Sequence, residues 1–110
     1  MPEQWVAVAT SDAVPPGTIL PVMIGDDDAV VFRTASGRLG VVARACPHLD
    51  RDLTEGRVVG EELVCTAHGW SIGTDGSACK RNEFGRTDPK GVTTSWQCHE
   101  SDGMISVDND

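Results

Sequence analysis

Four side chains that bind transition metals stand in two short, separated motifs. Cys46 and His48 form a Cys-x-His pair, and Cys65 and His68 form a Cys-x-x-His pair. Sixteen residues, 49–64, lie between the first histidine and the second cysteine. Each motif therefore offers one soft thiolate and one neutral imidazole nitrogen, both of which are ligands for transition metals. The spacing predicts a closed four-ligand metal site formed by two loops.

Structural zinc is the first alternative for this ligand set. Zinc sites of this composition usually pair cysteine with cysteine and histidine with histidine, often with a helix that carries the histidines. Here each motif is mixed and its surroundings are strand-like. A disulfide framework is a weaker alternative, because the N-terminus lacks the features of a secretory signal and cytoplasmic thiols stay reduced. We therefore expect a cytoplasmic protein with a metal site.

The ligand array resembles the signature of the Rieske iron–sulfur family, in which two histidines replace two cysteines on one iron of a [2Fe-2S] cluster. The resemblance includes Pro47 inside the first motif, the Gly69-Trp70 pair after the second, and the turn Gly-Thr-Asp-Gly at 73–76. It covers essentially the whole chain, but its specific motifs lie between residues 46 and 76. Together with the mixed motifs, these residues favour an iron–sulfur cluster over zinc.

The resemblance implies a role for each ligand. Cys46 and Cys65 would hold the buried iron of one 2Fe-2S cluster, and His48 and His68 would hold the outer iron near the surface. Because imidazoles are neutral and thiolates are negative, the mixed site accepts an electron more easily than a cluster with four cysteines. No other residues are expected to act as cluster ligands, and no catalytic residue is expected.

Length and charge limit the other possibilities. The 110 residues are enough for one domain, 1–110, with one modest core. No apolar run approaches the roughly 20 residues of a membrane span, so no membrane association is expected. The net charge of −8 argues against nucleic acid and favours a partner with a basic face, although solubility alone explains it equally well.

The pattern of the chain predicts an all-β fold. Twelve glycines and six prolines interrupt it, and no helical period is sustained between them. Strands are predicted at 5–8, 18–24, 29–33, 39–43, 58–59, 61–64, 70–72, 91–98 and 104–107, with hairpin turns at 25–28, 36–37, 75–76 and 102–103. The resemblance implies an antiparallel β-sandwich base and a small cluster-binding subdomain of two ligand loops at about 45–72.

The other candidate residues are expected to have structural roles rather than to bind the cluster. His99 and its neighbour Cys98 are expected on a surface strand, and Trp5 and Trp96 are expected to be core or edge aromatics. Cys79 and Cys98 could lie near each other across the final sheet, but free thiols are favoured over a bridge in a cytoplasmic chain. Leu49 is expected to act as an apolar lid beside the cluster, with ordinary packing as the alternative.

The chain lacks residues that are typical of one branch of the family, and their absence indicates which branch it resembles. Respiratory-type members have an extra disulfide between the ligand loops, and a serine and a tyrosine after the second ligand histidine that donate to the cluster sulfurs. This chain has Thr66 at one of those cysteine positions, and Trp70 and Ile72 at the donor positions. It therefore resembles the oxygenase-associated, low-potential branch. No catalytic domain with a two-histidine, one-carboxylate iron site is expected within these residues.

The resemblance implies a soluble one-electron carrier. Such a protein, expected to be monomeric, passes electrons from a ferredoxin reductase to a terminal ring-hydroxylating oxygenase, as an electron-transfer component that is not itself an enzyme. Two alternatives stay open. The chain could be a detached Rieske domain or subunit of an oxygenase complex, or the small subunit of an assimilatory nitrite reductase, although the latter sometimes lacks the ligands that are all present here.

Overall fold

A computed structural model describes residues 5–44, 52–64, 70–81, 87–92 and 94–108, apart from the side chains of 70, 78–81 and 87–92. The strands are β1 Trp5–Thr10, β2 Ile19–Ile24, β3 Asp27–Arg33, β4 Leu39–Ala43, β5 Arg57–Val59, β6 Glu62–Val64, β7 Trp70–Ile72, β8 Ser77–Arg81, β9 Thr87–Val92, β10 Cys98–Ser101 and β11 Met104–Asp108. Two short 3-10 turns, Ser11–Ala13 and Leu53–Glu55, lie between strands. The predicted all-β fold is confirmed.

The strands form three antiparallel sheets. The terminal sheet has the order β1-β11-β10, the central sheet β2-β3-β4, and the five-stranded sheet β5-β6-β7-β8-β9. Every pairing within these sheets is antiparallel, as expected for strands joined by short turns. The prediction of one domain with a cluster-binding subdomain at about 45–72 stays a prediction.

The central sheet is the middle layer, because its strand β3 is buried on both faces. Side chains alternate between faces along a strand. Val30 and Phe32 belong to a core shared with the five-stranded sheet, whereas Ala29 and Val31 belong to a core shared with the terminal sheet. The first core consists of Val30, Phe32, Val42, Leu53, Leu63 and Ile72. The second consists of Val14, Ile24, Ala29, Val31, Val41, Ile105 and Val107.

The hairpin turns follow from residues that tolerate positive φ. Ile24 pairs with Asp27, so the β2–β3 tip is the dipeptide Gly25-Asp26, with Gly25 at φ 63°. The tip is shorter than the predicted 25–28, because the last two aspartates of that run begin β3. At the β10–β11 turn, Asp102 and Gly103 have φ values of 52° and 78°, the backbone signs of a type I′ turn.

The predicted strand at 91–98 is wrong. β9 ends at Val92, Ser95 makes an isolated bridge to Val42, and β10 begins at Cys98. This stretch passes from the five-stranded sheet to the terminal sheet, so it cannot be one strand. β9 begins at Thr87, before the predicted strand, and includes Pro89; it is an edge strand, where proline is tolerated.

Candidate metal centre

The first predicted ligand segment, 45–51, lies outside the described residues, but both of its ends are described. β4 ends at Ala43 and is followed by Arg44, and Asp52 lies at the other end of the segment. The Arg44 guanidinium binds the Asp52 carboxylate with two bonds, Nη2 to Oδ2 at 2.8 Å and Nε to Oδ1 at 3.0 Å. The Leu53 amide also donates to the Arg44 carbonyl at 2.8 Å. The segment therefore starts and finishes at nearly the same point.

Asp52 has a second role at this point. It caps the following 3-10 turn, and its Oδ1 accepts from the Thr54 amide at 2.9 Å and from the Thr54 hydroxyl at 2.6 Å. The hydrogen bond from Arg44, followed by those from Thr54, holds the pKa of the Asp52 carboxyl well below its usual range. The same pairing raises the pKa of Arg44. The pairing therefore favours the ionised form of Asp52.

The second predicted ligand segment, 65–69, connects β6 to β7. Val64 pairs with Ser71 and Leu63 pairs with Ile72, so the two strands hold the ends of this segment side by side. Leu63 and Ile72 are fully buried and pack in the same core as Leu53. One apolar core therefore lies under the ends of both ligand segments.

Gly56 brings the two segments together. A Cβ atom at Gly56 would overlap the Val64 carbonyl oxygen and would also lie 3.2 Å from the Leu53 carbonyl oxygen. The turn that follows the first segment therefore packs directly on the strand that precedes the second, and the neighbouring Arg57 pairs with Val64. Only glycine permits this approach.

The described ends of the two ligand segments lie over one apolar core. Cys46, His48, Cys65 and His68 lie outside the described residues, and their assignment as ligands stays a prediction. Two thiolates and two imidazoles are the donor set that a Rieske cluster requires. Within the described ranges, no group of three or more His, Cys, Asp and Glu side chains could hold a metal ion.

A group of exposed aspartates lies near the start of the first ligand segment. The Arg44 amide donates to the Asp28 carbonyl at 3.1 Å, which places the β2–β3 hairpin beside the first ligand segment. That hairpin carries Asp26, Asp27 and Asp28, all exposed. Next to them Met23, opposite Asp28 in β2, has 56% of its surface exposed. We call residues 26–28 the acidic hairpin.

The remaining candidate residues lie elsewhere. His99 is exposed on β10, and its ring meets that of Trp5 edge to face with centroids 4.3 Å apart. Cys98 is a free thiol whose pKa is raised, mainly by burial. Cys79 belongs to the five-stranded sheet and Cys98 to the terminal sheet, so the expectation of a shared final sheet is wrong. Leu49 lies outside the described residues.

Two functional features were missed from the sequence. Arg44 and Asp52 carry opposite charges just outside the first motif, and this signal could have been noticed. Gly56 gave no signal, because its requirement comes from a contact with a distant strand.

No described helix has the length and apolar character needed to cross a bilayer.

Comparison with known proteins identifies the family. The model of the Rieske [2Fe-2S] domain matches residues 4–95, and the chain belongs to this family and carries one [2Fe-2S] cluster. The chain is 32% identical to cholesterol 7-desaturase of Xenopus laevis over 96% of its own length and 24% of that protein. It is 38% identical to the oxygenase component of 3-ketosteroid-9-alpha-monooxygenase of Mycobacterium tuberculosis over 74% of its length and 21% of that protein.

Solved structures show the same fold. The structure of dicamba monooxygenase bound to dicamba superposes with a TM-score of 0.84 at 21% identity, over 98% of this chain and 34% of that chain. The chain thus spans about a quarter of the curated relatives named above and a third of this structural neighbour.

These relatives correct one expectation. The chain was expected to be an electron-transfer component that is not itself an enzyme. Its relatives are a desaturase and oxygenase components, in which the matched domain is part of a catalytic oxygenase. The expectation of a non-enzyme is therefore wrong, and the chain is homologous to the Rieske domains of oxygenases.

Proposed function

We propose that this chain is the electron-relay domain of a Rieske oxygenase. In this proposal Cys46, His48, Cys65 and His68 hold the cluster, which accepts one electron at a time from a reductase and passes it toward the catalytic iron of the oxygenase. The observation that carries the proposal is that the described ends of both ligand segments lie over one core, which contains Leu53, Leu63 and Ile72.

The chain's own residues have separate tasks in this proposal. Arg44 and Asp52 hold the ends of the first ligand segment together, and the pairing of Val64 with Ser71 holds those of the second. The acidic hairpin beside the first segment gives a basic partner surface a place to approach.

The chain itself does not contain the ligands of a second iron site of the oxygenase type. Its three histidines are His48, His68 and His99, and the first two are assigned to the cluster. A site of two histidines and one carboxylate would need a further histidine. We therefore propose that the catalytic iron belongs to another part of the oxygenase.

The metal content of the purified native gene product tests this function. An oxygenase should contain iron in excess of its acid-labile sulfide, because the catalytic iron adds to the cluster iron. It should also consume oxygen when a reductase and an oxidisable substrate are supplied. Equal amounts of iron and sulfide, with electron transfer to a separate oxygenase, would instead identify a free carrier. A cytoplasmic location stays a prediction.

A further inference from the structure

The two ion pairs resolved in the described part of the chain occupy opposite ends of the central sheet. Arg44 and Asp52 lie at the β4 end from which the first ligand segment leaves. Arg33 and Glu100 lie at the other end, where the Arg33 guanidinium also donates to the Gly37 carbonyl at 3.0 Å. Both pairs are bidentate, and their shortest contacts are 2.8 Å and 2.7 Å. The Arg33–Glu100 pair, which lies away from the ligand segments, therefore serves as a control for substitutions in the Arg44–Asp52 pair.

We infer that Arg44 and Asp52 form a positioning pair that holds the first ligand segment in the shape the cluster requires. The inference rests on the proposed ligands Cys46 and His48. Arg44 precedes Cys46 by two residues, and Asp52 follows His48 by four. Neither side chain is expected to touch the metal.

The Arg44–Asp52 ion pair contributes little to the global stability of the fold. The side chains of Arg44 and Asp52 are 39% and 34% exposed, so solvent screens their attraction, and such pairs add little to global stability. The bidentate geometry does fix direction as well as distance, because the planar guanidinium matches the carboxylate plane. The pair is therefore better suited to fixing geometry than to stabilising the fold.

The surrounding contacts give the pair a rigid base. The Arg44 amide donates to Asp28 and its carbonyl accepts from Leu53, so the backbone of Arg44 is held on both sides. Asp52 is held by the Thr54 amide and hydroxyl. Leu53, between these residues, is fully buried. The ion pair therefore links two anchored residues and fixes the distance between Arg44 and Asp52.

Residues that orient metal ligands without touching the metal commonly change metal affinity strongly when they are replaced. The same is expected here, with a characteristic pattern. R44Q and D52N each break the pair, and D52N leaves an oxygen that can still accept from Thr54. Once either side chain is replaced, the other can no longer form the Arg44–Asp52 pair. The double variant R44Q/D52N should therefore lose its cluster no faster than the single variant with the larger effect.

The test is the rate at which the holoprotein loses its cluster to a chelator, followed by visible absorbance at constant pH. R44Q, D52N and the double variant should lose the cluster at least roughly tenfold faster than wild type. R44K, which keeps the charge but not the planar fork, should also lose it faster. The control E100Q, which breaks the matched pair at the other end, should behave like wild type. The paramagnetic signal of the reduced variants should broaden, whereas that of E100Q should not.

A role through charge alone predicts a different result. R44Q would then lower the reduction potential and D52N would raise it, since a positive charge favours the reduced cluster, while both would retain the cluster like E100Q. That outcome would overturn the positioning role, as would additive effects in the double variant. A wild-type protein that contains no iron and sulfide would contradict the proposed function instead, so the two failures are distinguishable.

Discussion

Thr34 and Glu61 join the central sheet to the five-stranded sheet through a hydrogen bond of 2.9 Å from Thr34 Oγ1 to Glu61 Oε1. Thr34 is fully buried in the β3–β4 hairpin, and Glu61 lies in the β5–β6 turn. The Ser36 amide donates to Glu61 Oε2 at 3.0 Å, and the Ala35 amide donates to the Gly60 carbonyl at 2.9 Å. One carboxylate thus fixes the relative position of two layers.

This contact predicts a pH-dependent contribution to stability. Hydrogen bonds from Ser36 and Thr34 lower the pKa of Glu61 below its ordinary value of 4.5. Ionised Glu61 therefore contributes stability above the unfolded-state pKa, and this contribution is lost as the pH falls through the lower folded-state pKa. The difference in free energy of unfolding between wild type and E61Q should be constant near neutral pH and should shrink below about pH 4.5. Urea unfolding across this range measures it, and a difference that grows on acidification would contradict the assignment.

Leu53 is expected to couple the core to the first ligand segment. It is fully buried in the core shared by the central and five-stranded sheets, and its amide bonds to Arg44. L53A should lower the free energy of unfolding by about 2–5 kcal/mol and also speed cluster loss. Denaturant unfolding and visible absorbance measure the two effects. V59A, at a position that is 46% exposed, is the control and should change neither.

Alanine substitutions at two glycines should distinguish a general loss of packing from a loss of support for the metal site. A Cβ at Gly40 would lie 2.7 Å from the Phe32 ring and 2.9 Å from the Thr74 backbone, and one at Gly56 would overlap the Val64 carbonyl. G40A and G56A should both lower the unfolding midpoint. For the same loss of free energy of unfolding, G56A should cause faster cluster loss than G40A. The reason is that G56A separates the turn after the first ligand segment from Val64, which precedes the second. Equal cluster retention at equal stability would show that the Gly56 contact does not support the site.

The acidic hairpin is expected to contribute to partner docking. Attraction between exposed charges is screened over a Debye length of about 8 Å at physiological ionic strength, so electron transfer from a basic partner should slow as salt is added. D26N/D27N should reduce this salt dependence. The control D75N/E100Q removes the same amount of charge away from the ligand segments. Asp75 lies in the β7–β8 turn, at the end of β7 farther from the second segment, and Glu100 lies on β10, near the end of β4 farther from the first segment. Stopped-flow reduction over a salt series measures both, and equal effects would show that the acidity is only solubilising.

Much of the fold was predictable from the chain because its turns are encoded locally. Asp75-Gly76 and Asp102-Gly103 specify hairpins through residues that tolerate unusual backbone angles, and both turns are observed. The course of residues 91–98 was not predictable, because Ser95 pairs with Val42 in a distant sheet. The ligand motifs were evident from residue types, whereas the Arg44–Asp52 pair became evident only when the ends of segment 45–51 were seen together.

The reduction potential is expected at the low end of the Rieske range, at about −150 mV. Donors to the cluster sulfurs raise the potential, because they favour the more negative reduced state. The chain contains no tyrosine, and Ile72, at one position where respiratory-type members have a donor, is fully buried in the apolar core. Direct voltammetry at pH 7 measures it. A potential well above zero would contradict the assignment to the oxygenase-associated branch.

The most direct measurement of the central claim is the metal and sulfide content of the purified chain, combined with the paramagnetic spectrum of its reduced form. The 110-residue chain does not hold the catalytic iron in this account, so a cluster bound by Cys46, His48, Cys65 and His68 predicts equal iron and acid-labile sulfide in it, a red-brown colour and the low average g value of a reduced Rieske centre. Replacement of Cys46 or Cys65 with serine should abolish all three, while C98S should leave them unchanged. A colourless protein that contains zinc, or a C46S variant that retains the spectrum, would contradict the account.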